Sequence, residues 1–342
     1  MSTINLKPKQ TTKKIMTDLR DRVHDVICSR FGLCEDAERK TLESIGQKYD
    51  ITRERVRQIE SSALNTIRKS DHFKAEQTTI QELKEIIRSL GSIVAEEELF
   101  SHISKDPLTQ NHIHFHLVLG DCFKKYKEDD HFKSRWSIDE KISDEVHKSL
   151  KEFYASLGDE EIISESEIVS RFLDYLKNVS EDYKNKEIAR RWLSISKSIG
   201  SNALGDWGKV SSSSIKTRGI KDYAFLVMRK HGSPMHFTEV AKSITQIFNK
   251  KTNSATCHNE LIKDPRFVLV GRGMYALTEW GYRPGVVKDV IRDILKKEGP
   301  LSKEEIIDLV LKERYLKRNT ILVNLQNSKY FKKNKKGLYI VV

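Results

Sequence analysis

Between Thr41 and Arg68 the apolar positions fall into two short stripes with helical spacing, separated by one break. Leu42, Ile45 and Tyr49 share a face of the first, and Val56, Ile59, Ala63 and Ile67 share a face of the second. Thr41 and Thr52 stand just ahead of the two stripes, where a hydroxyl accepts from the unpaired N–H groups that open a helix. Two short helices joined by a tight turn predict a helix-turn-helix.

Beyond Arg68 a longer pattern repeats, amphipathic helices followed by two alternating strands. It is clearest over residues 216–283, where DYAFLVMRKHGSPMHFTEVAKSI predicts two helices about a Gly-Ser-Pro turn, TNSATCHNELIKD a third, and RFVLVGRGMYALTEWGY a hairpin. After the punctuation RPGVV, residues 284–342 repeat it, with the third helix in KRNTILVNLQNS and the hairpin in YFKKNKKGLYIVV. Residues 71–142 follow the same plan less distinctly, and residues 143–215 are mostly helical and end in NALGDWGKVSSSSI. Three helices and a hairpin make a winged helix. The expected fold class is mainly α with short β-hairpin wings, a helix-turn-helix over residues 1–70 followed by tandem winged helices.

Charge changes this picture because it is segregated. The net +12 divides into 15 basic against 10 acidic residues over 1–70, 20 against 27 over 71–215, and 26 against 12 over 216–342. A solubilising surface intersperses the signs. A basic third beside an acidic third points to an anionic partner for the ends, and to protein contact or spacing for the middle.

On the second predicted helix Arg53, Glu54, Arg57 and Gln58 lie opposite the apolar stripe, near the N-terminal end. That end of such a helix enters the major groove of double-stranded DNA. There arginine donates twice to guanine, glutamine pairs with adenine, and glutamate accepts from cytosine. Arg55, turned aside, suits a phosphate, and Thr52 belongs to the same contact face. In the last unit Lys317 and Arg318 open the third helix, and Lys332, Lys333, Lys335 and Lys336 lie where the wing turns. Such clusters suit phosphates.

The segment LRDRVHDVICSRFGL, a short acidic insert, and TLESIGQKYDITRERVRQIESSALNTIR together resemble region 4 of bacterial sigma factors of the primary type, which reads the upstream promoter element. The likeness runs from about Leu19 to Arg68. It implies base contacts by Arg53, Glu54, Arg57 and Gln58, and docking on RNA polymerase core. SSALNTIRKS is less basic than the family's usual ending, so a weaker phosphate grip is expected there. In that family region 4 comes last, after the region that melts the start site. Only roughly 20 residues precede it here, so a complete sigma factor is not expected. From about Arg218 to Tyr282 the chain resembles the HARE-HTH domain, found also in the delta subunit of some bacterial RNA polymerases. Pro234, His236, Phe237, Pro265, Arg266, Phe267, Gly271, Gly273, Tyr275, Leu277 and Trp280 carry that likeness.

Other chemistry finds little support. His112, His114 and His116 alternate in NHIHFH, but on a helix His114 leaves the face that the other two share, and no further ligand stands at metal spacing. His236 reads as a folding residue, and Trp136, Trp207 and Trp280 as packing for the wings. Cys28, Cys34, Cys122 and Cys257 form no paired motif, which suits a reducing compartment. There is no phosphate loop, nucleophile elbow, signal peptide or membrane-length apolar run. The expectation is a cytoplasmic, nucleoid-associated protein without enzyme activity, metal or cofactor. Its leading function is a sequence-specific DNA-binding transcription factor, with double-stranded DNA and RNA polymerase core as partners. Two alternatives stay open: an RNA polymerase-associated adaptor, and an accessory DNA-binding component of a DNA modification or defence system.

Overall fold

The N-terminal segment forms four helices, α1 (Pro8–Ile15), α2 (Asp21–Phe31), α3 (Leu42–Tyr49) and α4 (Arg53–Lys69). Thr41 and Thr52 cap α3 and α4 as their positions predict, accepting from the backbone N–H of Ser44 at 3.1 Å and of Arg55 at 3.2 Å. The turn between them closes through Asp50, at φ 51°, and through Gly46, where a Cβ would lie 2.6 Å from the carbonyl oxygen of Ile51. Val26, Ile45 and Val56 make the small core of this helix-turn-helix. α1 is not anticipated by the sequence reading; its buried Thr11, Thr12 and Ile15 supply too short a stripe.

The computed structural model describes residues 6–282, 285–314 and 317–342. It divides into two compact units, Met1–Gly200 with Trp207–Val210, and Ser201–Asp206 with Ser211–Val342.

After α5 (Asp71–Ala75), the first unit continues through α6 (Gln77–Ser89), β1 (Ile93–Ala95), α7 (Glu96–Ile103), α8 (Pro107–Leu119), β2 (Lys124–Tyr126) and β3 (Arg135–Ser137), with the sheet ordered β1-β3-β2. The next module has α9 (Glu140–Ser156), α10 (Glu165–Leu173), α11 (Lys186–Ile195) and the hairpin β4 (Ile199–Ser201) with β5 (Trp207–Lys209). A single antiparallel bridge, Ile163 to Trp207, replaces its first strand. The second unit repeats the order in α12 (Ile220–His231), β6 (Met235–His236), α13 (Phe237–Phe248), α14 (Ser254–Lys263), β7 (Phe267–Gly271) and β8 (Met274–Leu277), with the sheet β6-β8-β7. It repeats again in α15 (Val287–Glu298), α16 (Lys303–Glu313), α17 (Arg318–Leu325), β9 (Phe331–Lys333) and β10 (Tyr339–Val341), where the bridge from Leu301 to Tyr339 is the first strand.

In every module the first strand or bridge pairs with the last strand, which is winged-helix topology. The fold is mainly α, a helix-turn-helix followed by tandem winged helices. Strands β1 and β6 hold 3 and 2 residues, too few to print an alternating pattern in the sequence, and the reading above passes over them. Arg283 and Pro284, part of the expected punctuation RPGVV, lie outside the described residues.

In the first unit the third helix of the first winged helix is not free. One side of α8 packs on α6 and α7, the other on α1, α2 and α4, so that Ile113, Phe115, Leu117 and Leu119 join Ile27, Phe31, Ala63 and Ile67 in one core. The polar Asn111 is consumed there too. Its amide donates to the carbonyls of Gly32 and Ala37, each at 2.9 Å, and accepts from Nε of Arg39 at 2.6 Å, which fixes the acidic insert. The wing between β2 and β3 is also engaged. Phe132 bridges to Ser196, and the N–H of Lys133 donates to the carbonyl of Ile195 at 2.9 Å, joining it to the next module.

In the second unit Arg266, buried between carboxylates, bonds Asp222 at 2.9 Å and Asp264 at 2.8 Å. Those carboxylates stay below the ordinary range because Arg266 and backbone N–H groups overcome the effect of burial. His236 caps α13 and stacks on Phe237, with ring centres 4.5 Å apart, which is a folding role. Arg314 ties the two winged helices together, donating to the carbonyl of Leu269 at 2.6 Å and to that of Gly285 at 3.0 Å.

Candidate nucleic-acid interface

The first turns of α4 lift Arg53, Glu54, Arg55, Arg57 and Gln58 into solvent, because Val56 between them is held in the core. Their long side chains are not loose. Nε and Nη2 of Arg57 donate to the two carboxylate oxygens of Glu54 at 2.9 and 2.7 Å. Nη1 of Arg55 donates to Oε1 of Gln58 at 3.1 Å. The Arg57 hydrogen bond holds the Glu54 carboxyl below its usual range, and the same bond raises the guanidinium, so both are ionised at neutral pH. Pairs three residues apart on one helix arrange charge and donors without committing them to a buried role. Behind this face Arg55, Gln58 and Ile59 line an open groove with Leu19, Arg20 and Val23. The structure thus brings Thr52, Arg53, Glu54, Arg55, Arg57 and Gln58 onto one helix end, whose partial positive charge favours an anion.

The far end of α4 is used differently. Arg68 donates from Nη2 to the carbonyl of Val118 at 2.7 Å and from Nε to that of Leu119 at 3.1 Å, capping the C-terminus of α8. Sequence reasoning missed this, since the partners lie about 50 residues away and nothing local marks them.

The histidines of NHIHFH also turn inward. Nδ1 of His112 and Nε2 of His116 meet the Thr12 hydroxyl at 2.9 and 3.1 Å, while His114 lies on another face among Phe31, Phe100 and Trp136. Burial lowers His112 and His116 to about 4 and His114 to about 3. Thus the pair His112 and His116 anchors α1. Among the described residues no three His, Cys, Asp or Glu side chains gather as metal ligands would, and no helix is long and apolar enough to cross a membrane.

In the last module Lys317 is the N-cap residue of α17, and Arg318 pairs with Glu304 of α16. Lys332 and Lys333 stand on β9 opposite Ile340 and Tyr339. Lys335 and Lys336 occupy the wing tip, where Oδ1 of Asn334 accepts from Lys336 N at 2.9 Å and Leu338 N at 3.0 Å, and Gly337 takes φ 75°. The six basic residues therefore lie on one helix start and one wing of the same module.

Comparison with known proteins falls on two segments. Residues 15–69 match the family model of Sigma-70, region 4, and residues 218–280 match that of HARE-HTH, a restriction endonuclease HTH domain. The chain is 47% identical over 60 residues to RNA polymerase sigma factor RpoD of Helicobacter pylori, covering 18% of this chain and 9% of that one. It is 45% identical over 60 residues to RNA polymerase sigma factor SigA of Nostoc sp., covering 18% and 15%. It is 41% identical over 66 residues to RNA polymerase sigma factor SigA of Clostridium acetobutylicum, covering 19% and 17%. The chain spans at most 17% of the length of these curated relatives. Both matched segments are DNA-binding domains of the helix-turn-helix type, and neither is an enzymatic domain.

Proposed function

We propose that this chain is a transcription factor that reads promoter-like double-stranded DNA with α4. In this reading Arg53, Glu54, Arg57 and Gln58 meet base edges in the major groove, and Thr52 and Arg55 meet the backbone. The basic residues of the last module, Lys317, Arg318, Lys332, Lys333, Lys335 and Lys336, add phosphate contacts. One observation carries this choice over the adaptor reading. The polar face of α4 is exposed and ordered, whereas the apolar underside of α2 and α4 is already covered by α1 and α8 of the same chain. An adaptor gripping polymerase through that underside would first have to strip it.

RNA polymerase core remains part of the proposal as a second partner, since the relatives are RNA polymerase sigma factors. The test is binding of the full chain to duplexes selected from a random pool. Arg57→Ala should flatten preference at one base pair, and core RNA polymerase should co-purify from nuclease-treated extract. Equal loss of affinity on every sequence would remove base reading by α4; absence of polymerase would remove the second partner alone.

A further inference from the structure

The last module carries a helix whose outer face the phosphate reading does not use. In α17, Ile321 and Leu325 enter the core, and this turns Asn319, Thr320 and Val323 outward together. Val323 is 66% exposed, the most exposed large apolar side chain among the described residues. A single exposed valine is ordinary. This one sits at the centre of a short polar face, on the third helix of a winged helix, with a lysine-bearing wing directly following it in the chain.

Charge in this module is divided as well. From Val286 to Glu313 acidic and basic residues alternate, but from Arg314 to Val342 there are eight Lys or Arg and no Asp or Glu. The wing is built to present them. Phe331 is buried beside Ile321 and Leu325, so β9 leaves the same core as α17, and the Asn334–Gly337 turn carries Lys335 and Lys336 at its tip. Lys333 lies over the Tyr339 ring at 5.2 Å, which holds its stem along the strand. A carboxylate from the preceding half, Glu304 of α16, pairs with Arg318 at the start of the helix.

We infer that α17 is a second base-reading helix, which reads an A·T-rich block of duplex DNA while the wing lysines hold the flanking phosphates. The side chains define the class of base pair. An asparagine amide matches the N6 and N7 edge of adenine, and the methyl groups of Thr320 and Val323 match the thymine methyl. α4 presents two arginines and a glutamate at its start, types that suit guanine and cytosine. The chain then recognises two blocks of different composition. This rests on the proposed DNA-binding function for the class of ligand, but not on α4 reading bases.

The experiment selects duplexes from a random double-stranded pool with the full chain, beside a single-stranded RNA pool, and repeats it with Asn319→Ala, Val323→Ala, Arg57→Ala and the four wing lysines changed to alanine. The expected result is two enriched blocks. Asn319→Ala and Val323→Ala erase only the A·T-rich one, each lowering affinity for the best duplex by roughly 5- to 100-fold without changing the urea midpoint. Arg57→Ala erases only the other. If α4 does not read bases, Arg57→Ala erases nothing while the α17 block persists, so that failure is separate from this one. The inference is overturned if the two α17 variants enrich the same sequences as the parent while the lysine variant weakens all duplexes alike, or if the RNA pool is retained in preference to duplex.

Discussion

Arg57 and Glu54 hold each other through two parallel hydrogen bonds, one turn into α4. The pair serves as a positioning device in the free protein, and it places a negative charge where a phosphate backbone would approach. Glu54→Ala is therefore expected to do two opposite things. Preference at one base pair relaxes, while binding to scrambled duplex strengthens at low salt as a repulsive charge is removed. Fluorescence anisotropy at two salt concentrations checks both; unchanged binding to scrambled duplex would place Glu54 away from the backbone.

Arg68 tests whether the end of α4 grips DNA or protein. Its donors satisfy the final carbonyls of α8. Arg68→Ala should lower unfolding free energy by about 1 to 3 kcal/mol, measured in urea, because two helix-end carbonyls lose their partner. The slope of DNA affinity against salt should stay the same; a fall of about one unit would make Arg68 a phosphate contact instead.

Gly46 permits the close turn between α3 and α4. Gly46→Ala should cost about 1 to 3 kcal/mol in urea unfolding, since the added methyl meets the Ile51 carbonyl at 2.6 Å. DNA binding should fall with it, as the turn sets the angle of α4. Full stability in the variant would mean the turn relaxes freely.

The inward histidines make the first unit acid-sensitive. Folded, His112 and His116 protonate only near 4, against an ordinary value of 6.5. Between those values the unfolded chain binds protons that the folded chain refuses. Stability is therefore complete above about pH 6.5 and declines as pH falls toward 4. His147, lowered to about 4 by burial and then by Arg135, acts in the same direction. Urea titrations from pH 7.5 to 4.5 should show the decline, with a shallower slope in His116→Gln. A flat profile would mean that the folded rings accept protons.

The helix-turn-helix was legible because its signals are local. Thr41, Thr52 and the stripe through Val56, Ala63 and Ile67 lie within a few residues of what they cap or pack. The last module was legible for the same reason, through its Gly-Pro turn and the Asn334–Gly337 wing tip. The position of α8 was not legible. Histidine and asparagine read as polar, yet His112, His116 and Asn111 are buried against partners about 70 to 110 residues earlier. In the 143–215 module the first strand is a single bridge at Ile163, which leaves no period to detect. The α4 face was predicted as exposed and is exposed, but its internal pairing depends on rotamers that the sequence does not state.

The burial of α8 fixes where the protein can be cut. A fragment ending at Ser70 would bare Ile27, Phe31, Ala63 and Ile67 to water, and would sacrifice the anchor of α1 as well. Because Lys133 is bonded onward to Ile195, trimming after the first wing leaves a second raw edge. The shortest soluble piece able to carry α4 therefore runs to about Val210, and a graft of the ten residues from Ile51 to Glu60 onto another scaffold would inherit their chemistry without their footing.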